Sequence, residues 1–322
     1  MLYPTIDFVQ FDLNVTCNAF CPGCHRYTVI DDQMYLNPFL SFNTSLNLEI
    51  IEQAMINKRI VDRPWIDFVG LVGEPIAHPK FTEIIDIIYK HRPNAKINIH
   101  TNGGLKSTQF FEELAIKLKN NHYLLQFSVD GLEDTNNIYR IGVSWKKIME
   151  NMTAFIDAGG NAIWKFIVFP WNEHQINEAK ILAESIGIKF QVEKNRDDNS
   201  PHMLDYMEAS ENINKKTKGP LGYKSSHSAS AFTKIQNKCF DPKGIYINQD
   251  GRVLPCCMFN ASLSDEQYRD EMLPYINEDN ENWNNLQYST LEDIMNNNWW
   301  HKLYGHLDTA PCTVCIRSCE KR

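Results

Sequence analysis

No apolar run in this chain of 322 residues is long enough to cross a bilayer. The start, Met1-Leu2-Tyr3-Pro4-Thr5-Ile6-Asp7, has neither the basic residues nor the apolar stretch of a secretory signal. Basic character is also scarce. Thirty-two Lys and Arg against 40 Asp and Glu leave a net charge of −8, which argues against a nucleic-acid partner, because no cationic stripe can displace its counterions. Lys215, Lys216 and Lys218 form one small basic cluster and read as a solvated loop. No internal repeat or low-complexity tract is present. Without an export signal the expected location is cytoplasmic and disulfides are not expected. The nine cysteines, an odd number, then read as metal ligands.

What the chain does have is rhythm. From residue 6 to about 193, short apolar strands alternate with amphipathic helices, as in βαβ units around a parallel sheet. Strands are expected at 7–14, 65–72, 96–101, 123–129, 162–169 and 188–193. Helical stripes follow at Phe81, Ile84, Ile85 and Ile88, at Trp145, Ile148, Met149, Met152 and Ile156, and at Ile176, Ala179, Leu182, Ala183 and Ile186. These stripes read as core. Six such units predict an α/β fold, an open and partial TIM-like barrel over residues 1–195. Residues 196–238 break the rhythm, with Pro201, Gly219, Pro220 and Gly222 as breakers, and read as a connector or lid. A small C-terminal domain is expected over 239–322.

The strands carry a second pattern. Val9, Phe11, Leu13 and Val15 alternate with Gln10, Asp12 and Asn14, and Ile97 and Ile99 with Lys96, Asn98, His100 and Asn102. Leu125, Phe127 and Val129 alternate with Gln126, Ser128 and Asp130, and Ile188, Phe190 and Val192 with Lys189, Gln191 and Glu193. Helices cover the outer face of a parallel barrel, so the polar sets should point inward. A lumen that only needed filling would use Val, Ile and Leu. This one suits a polar ligand. The competing reading is that some of these are edge strands with solvated faces.

The most specific feature is Cys17-Asn-Ala-Phe-Cys21-Pro-Gly-Cys24. Three thiolates on one loop can hold three irons of a [4Fe–4S] cluster and leave the fourth open, whereas a cluster used for electron transfer takes four cysteines. Zinc usually draws cysteine pairs from two knuckles and closes at four ligands, and no fourth ligand is evident nearby.

Cys-x3-Cys-x2-Cys after a first strand resembles the signature of the radical S-adenosylmethionine (radical SAM) enzymes. The resemblance implies that the open iron chelates S-adenosylmethionine, whose reductive cleavage yields a 5′-deoxyadenosyl radical that abstracts a hydrogen atom. An electron donor such as flavodoxin or ferredoxin is implied as a partner. The residue before the third cysteine, often aromatic in the family, is Gly23 here. Val72-Gly73-Glu74-Pro75 is similar to the family's Gly-Gly-Glu-Pro motif, with Val72 in place of the first glycine and His78-Pro79 following. The resemblance assigns Gly73 and Glu74 to the methionine amino group and Arg140 to its carboxylate. It places Asn102 and Ser128 along the cofactor pocket, with Asp130 toward ribose or substrate. His100 and Lys165, facing the lumen, are candidate substrate contacts.

Cys239, Gly251 and Cys256 look like the opening of the twitch or SPASM extension of these enzymes. Independently, Tyr246 to Leu254 reads as a hairpin around a two-residue Asp250-Gly251 turn. It would bring Cys239 and Cys256 together, with Cys312-x2-Cys315 closing a second [4Fe–4S] site and Cys319 an alternative ligand. A zinc ribbon is the competing reading. Adjacent side chains in a strand point to opposite faces, so Cys257 is expected to be unligated and a candidate hydrogen-atom donor.

Two substrate classes are compatible with these features: a peptide, epimerised or cross-linked, and a small metabolite such as an amino sugar, oxidised. Strand formation almost from Met1 leaves leader-peptide recognition to the connector or a separate protein. A non-catalytic iron–sulfur or zinc protein is the alternative from another class.

Overall fold

The computed structural model describes residues 5–30, 33–38, 40, 44–194, 243–263 and 282–309. The connector 196–238 and Cys239, Cys312, Cys315 and Cys319 lie outside the described residues. In chain order the strands are β1 (Ile6–Phe11), β2 (Tyr27–Ile30), β3 (Gln33–Leu36), β4 (Ile60–Phe68), β5 (Lys96–Thr101), β6 (His122–Ser128), β7 (Ala162–Val168), β8 (Lys189–Lys194), β9 (Gly244–Ile247) and β10 (Val253–Leu254). The helices are α1 (Leu48–Ile56), α2 (Phe81–His91), α3 (Thr108–Leu118), α4 (Asn136–Tyr139), α5 (Trp145–Asp157), α6 (Ile176–Ser185), α7 (Cys257–Leu263), α8 (Leu291–Asn296) and α9 (Asn298–Thr309).

The chain divides into two compact units, one of Met1–Thr16, Asn37–Asn98 and Ala229–Arg322, the other of Cys17–Leu36 and Ile99–Ser228. The first carries the strand run β10-β9-β1-β4-β5, and the second the run β5-β6-β7-β8 with β2 and β3 as a separate antiparallel pair. The β1–β4, β1–β9, β6–β7 and β7–β8 pairings are parallel. The result is an open α/β sheet, the partial barrel expected.

In the first unit, Phe81, Ile84, Ile85 and Ile88 of α2 are all buried, as their spacing requires. Asn47 caps α1 by accepting the Glu49 N–H at 3.1 Å. In the second unit, Ser107 and Ser144 cap α3 and α5, and α5 buries Ile148, Met152 and Phe155. Val9, Phe11, Leu13 and Val15 are buried, as are Ile97, Ile99, Leu125, Phe127 and Val129. Their polar alternates Gln10, Asp12, Asn14, Asn98 and Gln126 are buried too, so these strands are covered on both faces.

Three expectations are corrected. The polar set of the sixth predicted strand is not internal: Lys189 and Gln191 are exposed, because among the described residues β8 ends the strand run, with a neighbour on one side only. The hairpin loop is wider than two residues. Asn248 Oδ1 accepts the N–H groups of Asp250 and Arg252, so Ile247 pairs Val253 across residues 248–252, with Gly251 at φ 86°. Cys256 and Cys257 do not lie in a strand. β10 ends before Pro255, and the Cys256 sulfur accepts the Phe259 N–H at 3.4 Å, as a cap would, while Cys257 opens α7.

Candidate functional site

The chain leaves β1 and turns tightly through the three cysteines. Cys24 N–H bonds the Cys21 carbonyl at 3.1 Å, and Tyr27 N–H bonds the Cys24 carbonyl at 3.0 Å. The Arg26 guanidinium donates to the carbonyls of Cys17 (3.3 Å) and Ala19 (3.4 Å) while lying 5.0 Å over the Tyr27 ring. Phe20 stacks on that same ring from its own position in the loop. A buried arginine that binds backbone carbonyls gives this loop a fixed shape.

Donors converge on the sulfurs. The Ala19 N–H reaches Cys17 Sγ at 3.3 Å and the Arg26 N–H reaches Cys24 Sγ at 3.5 Å. Asn102 Nδ2 lies 3.6 Å from Cys17 Sγ, and Arg140 Nη1 lies 3.9 Å from Cys21 Sγ. Burial pushes the Cys24 thiol up to about 12 and raises that of Cys21, so thiolate character here depends on a cation at the sulfurs. Among the described residues no three Cys, His, Asp or Glu side chains gather as a single-ion site. The donor set, three thiols with N–H groups aimed at them, fits an iron–sulfur cluster, whose properties such hydrogen bonds tune.

The other expected residues of this unit fall around the loop to different degrees. Asn102 donates to Asn18 Oδ1 at 2.8 Å and accepts the Gly104 N–H at 2.9 Å, which fixes its amide beside Cys17. Arg140 holds Asp130 with Nε at 2.7 Å and Nη2 at 2.6 Å from Oδ2. The second Asp130 oxygen accepts the Ile167 N–H at 2.7 Å. Asp130 is fully buried, and its oxygens are engaged by protein groups. Burial pushes its carboxyl up, and the facing guanidinium pulls it back. Ser128 and Lys165 are register partners across β6 and β7 and half-buried. His100 Nε2 lies 3.3 Å from Gln126 Nε2. Arg26 and Asn18 were not singled out by sequence. Arg26 follows Cys24 closely enough to have been a candidate, but nothing in the pattern shows that it folds back.

The first unit holds the Gly73-Glu74 loop, and the extension of β1 shapes it. Asp12 Oδ1 accepts the Leu71 N–H at 2.8 Å. Asn14 Nδ2 donates to the Glu74 carbonyl at 3.0 Å, while the Glu74 N–H donates to the Thr16 carbonyl at 2.8 Å. Gly73 is required for this approach, since a Cβ there would sit 2.0 Å from the Asn14 carbonyl oxygen. Val72, where the family motif has glycine, is completely buried in a small apolar cluster with Val15 and Leu40. The substitution therefore packs the back of the loop and leaves Glu74 in place. Pro75 then opens a 3-10 turn, Pro75–Ala77. His78 Nδ1 accepts the Lys80 N–H at 3.1 Å, so its proton is on Nε2, 3.0 Å from the Leu46 carbonyl.

At the hairpin, Tyr246 Oη donates to Asp12 Oδ2 in a very short contact and accepts from Asn260 Nδ2 at 3.1 Å. Asn248 Nδ2 in turn reaches Asn260 Oδ1 at 3.3 Å. Cys256 is buried and Cys257 half-buried. Sequence reading missed Tyr246 because it sits among apolar strand residues, and it noted Asp12 only as inward-facing.

Among solved structures, the chain resembles anSMEcpe with bound AdoMet, with a TM-score of 0.56 at 16% identity over 98% of this chain and 88% of the other. It also resembles Streptococcus suis SuiB bound to S-adenosylmethionine, with a TM-score of 0.58 at 16% identity over 98% and 72%. At such identities the likeness establishes the fold. No curated protein matches the chain. The family model for the radical SAM superfamily matches residues 13–180, just over half of the chain and inclusive of the three-cysteine loop. The chain belongs to the radical SAM superfamily.

Proposed function

We propose that this enzyme cleaves S-adenosylmethionine reductively at a [4Fe–4S] cluster on Cys17, Cys21 and Cys24, and that the resulting 5′-deoxyadenosyl radical abstracts hydrogen from an unactivated C–H bond of a peptide. The observation that carries the reading is the set of N–H donors and the Arg140 guanidinium around the three sulfurs. When bound, the cluster supplies the electron that breaks the sulfonium bond.

The chain's own residues bind and orient. Arg140, anchored by Asp130 along one edge, keeps Nη1 beside Cys21, where a methionine carboxylate would take a charge-assisted bond. Glu74, on its backbone-clamped loop, is the partner for the amino group. Asn102 and Ser128 contribute hydrogen bonds to the pocket, and Asp130 acts by holding Arg140. His100 and Lys165 are the substrate-facing pair. A peptide substrate draws support from two fold relatives solved with peptides, anSMEcpe with the Cp18Cys peptide and SuiB with its precursor peptide SuiA.

Cys256, with Cys239, Cys312 and Cys315, is assigned to a second [4Fe–4S] cluster, Cys319 being the alternative ligand. Cys257 is the hydrogen-atom donor that quenches the substrate radical. A flavodoxin or ferredoxin supplies the electron.

The deciding experiment is anaerobic reconstitution with metal analysis. About eight irons should bind, falling to about four with loss of 5′-deoxyadenosine formation when Cys17, Cys21 and Cys24 are all changed to Ala. Stoichiometric zinc without iron would overturn the reading.

A further inference from the structure

Leu71, at the start of the Glu74 loop, and Cys256 stand at the two ends of one buried hydrogen-bonded chain, and Asp12 is its centre. On one side, the Asp12 carboxylate takes the Leu71 N–H, two residues before Gly73. On the other, it takes the Tyr246 hydroxyl. Tyr246 accepts from Asn260, which lies one turn into α7, and the Asn260 N–H reaches back to the Cys256 carbonyl at 3.4 Å. Asp12, Tyr246 and Asn260 are 1%, 0% and 5% exposed.

We propose that Asp12 and Tyr246 form a positioning device that sets the Gly73-Glu74 loop for S-adenosylmethionine and ties that setting to the helix of Cys256 and Cys257. The affinity for S-adenosylmethionine then depends on a phenol that does not touch it. This inference rests on the assignment of Glu74 to the cofactor's amino group.

Three observations carry it. First, the loop has no slack: Gly73 already lies against Asn14, and the Glu74 N–H and carbonyl are both bound by the β1 extension. A shift of the Leu71 amide is therefore passed along the chain toward Glu74. Second, a fully buried carboxyl is costly. Burial pushes Asp12 up to about 6, so a strand residue that needed only to fill space would be apolar. Third, a simple latch of β9 onto β1 is not what the carboxylate is for, because the parallel ladder from Phe8–Gly244 to Phe11–Ile247 already joins those strands. What Asp12 adds is the Leu71 amide at the start of the loop. Removing the Tyr246 hydroxyl would strip a donor from Asp12 and an acceptor from Asn260 Nδ2, both in the interior.

The test uses anaerobically reconstituted holoenzyme with the cluster oxidised, so that no turnover occurs, and S-adenosylmethionine itself as the probe. Tyr246→Phe and Asp12→Asn, the latter isosteric and serving as second variant where the former folds poorly, should each weaken binding about three- to tenfold with the iron count unchanged. The double variant should be no weaker than the worse single, since both break one chain of bonds. In separate samples, reduced and frozen before S-adenosylmethionine is cleaved, the change it induces in the electron paramagnetic resonance spectrum of the cluster should shrink in step, which a purely structural role would not produce. Wild-type affinity in both singles, while Glu74→Ala binds weakly, overturns the device and leaves the cofactor assignment standing. Wild-type affinity in Glu74→Ala as well overturns both.

Discussion

Arg140 grips Asp130 with two nitrogens on one carboxylate oxygen, at 2.7 and 2.6 Å, while its remaining terminal nitrogen stays 3.9 Å from the Cys21 sulfur. The pair is buried, with side chains 16% and 0% exposed. Removing one partner of such a pair strands the other charge. Asp130→Ala should destabilise the fold by about 3–5 kcal/mol and lower iron retention at the three-cysteine loop. Denaturant unfolding of the reconstituted protein checks this, and a change under about 0.5 kcal/mol would contradict the pairing.

Gly73→Ala places a methyl group where the Asn14 carbonyl stands. The loop must open, so S-adenosylmethionine affinity should fall at least about tenfold by calorimetry while the iron count stays at the wild-type level. Val72→Gly, which restores the family's residue, should behave differently. It empties part of the Val15–Leu40–Val72 cluster and should lower stability by about 1–3 kcal/mol with little effect on affinity. Equal affinity losses in the two variants would show that the loop is set by its apolar backing.

Acid should stabilise the Asp12 region. The carboxyl is raised from 3.8 to about 6, chiefly by burial, so between those values the folded state binds a proton that the unfolded chain has released. Stability from this group is fully present below the unfolded value and is lost as pH rises through the folded one, with a slope of up to about 1.4 kcal/mol per pH unit. The difference in unfolding free energy between wild type and Asp12→Asn should therefore shift in favour of wild type as pH falls from 7 to 4. A constant difference across that range would place the Asp12 value near that of an ordinary carboxyl.

Cys257→Ala tests the hydrogen-donor assignment. The variant should keep the wild-type iron content and still form 5′-deoxyadenosine, yet yield no epimerised peptide. Full turnover would remove Cys257 from the chemistry and move the reaction toward oxidation.

Much of the sheet was legible because alternation and helical stripes survive in the sequence. β5 matches its expected bounds of 96–101, and α2 buries the four residues its spacing chose. β4 was misjudged at both ends for local reasons. Pro64 hid its start at Ile60, where a register irregularity between Ile6 and Phe8 of β1 absorbs the proline, and Gly70 at φ 62° turns the chain shortly after Phe68. The cysteine loop was readable because ligand spacing is covalent. The bonds to Arg26, Asn18 and Tyr246 were not, since they depend on how the chain folds back and no periodicity encodes that. The expectation that Cys256 and Cys257 alternate within a strand failed because the pattern was carried past Pro255, where the ladder stops.

The pairing of β9 with β1 also bears on synthesis. Tyr246 and Asp12 are 234 residues apart in the chain. At ribosomal speeds, β1 emerges roughly 10–50 s before the strand that flanks it. For that interval one edge of β1 has no partner and Asp12 has no hydroxyl to meet. A nascent chain arrested before Gly244 should accordingly be recognisable by protease cleavage near β1, whatever the state of its three-cysteine loop.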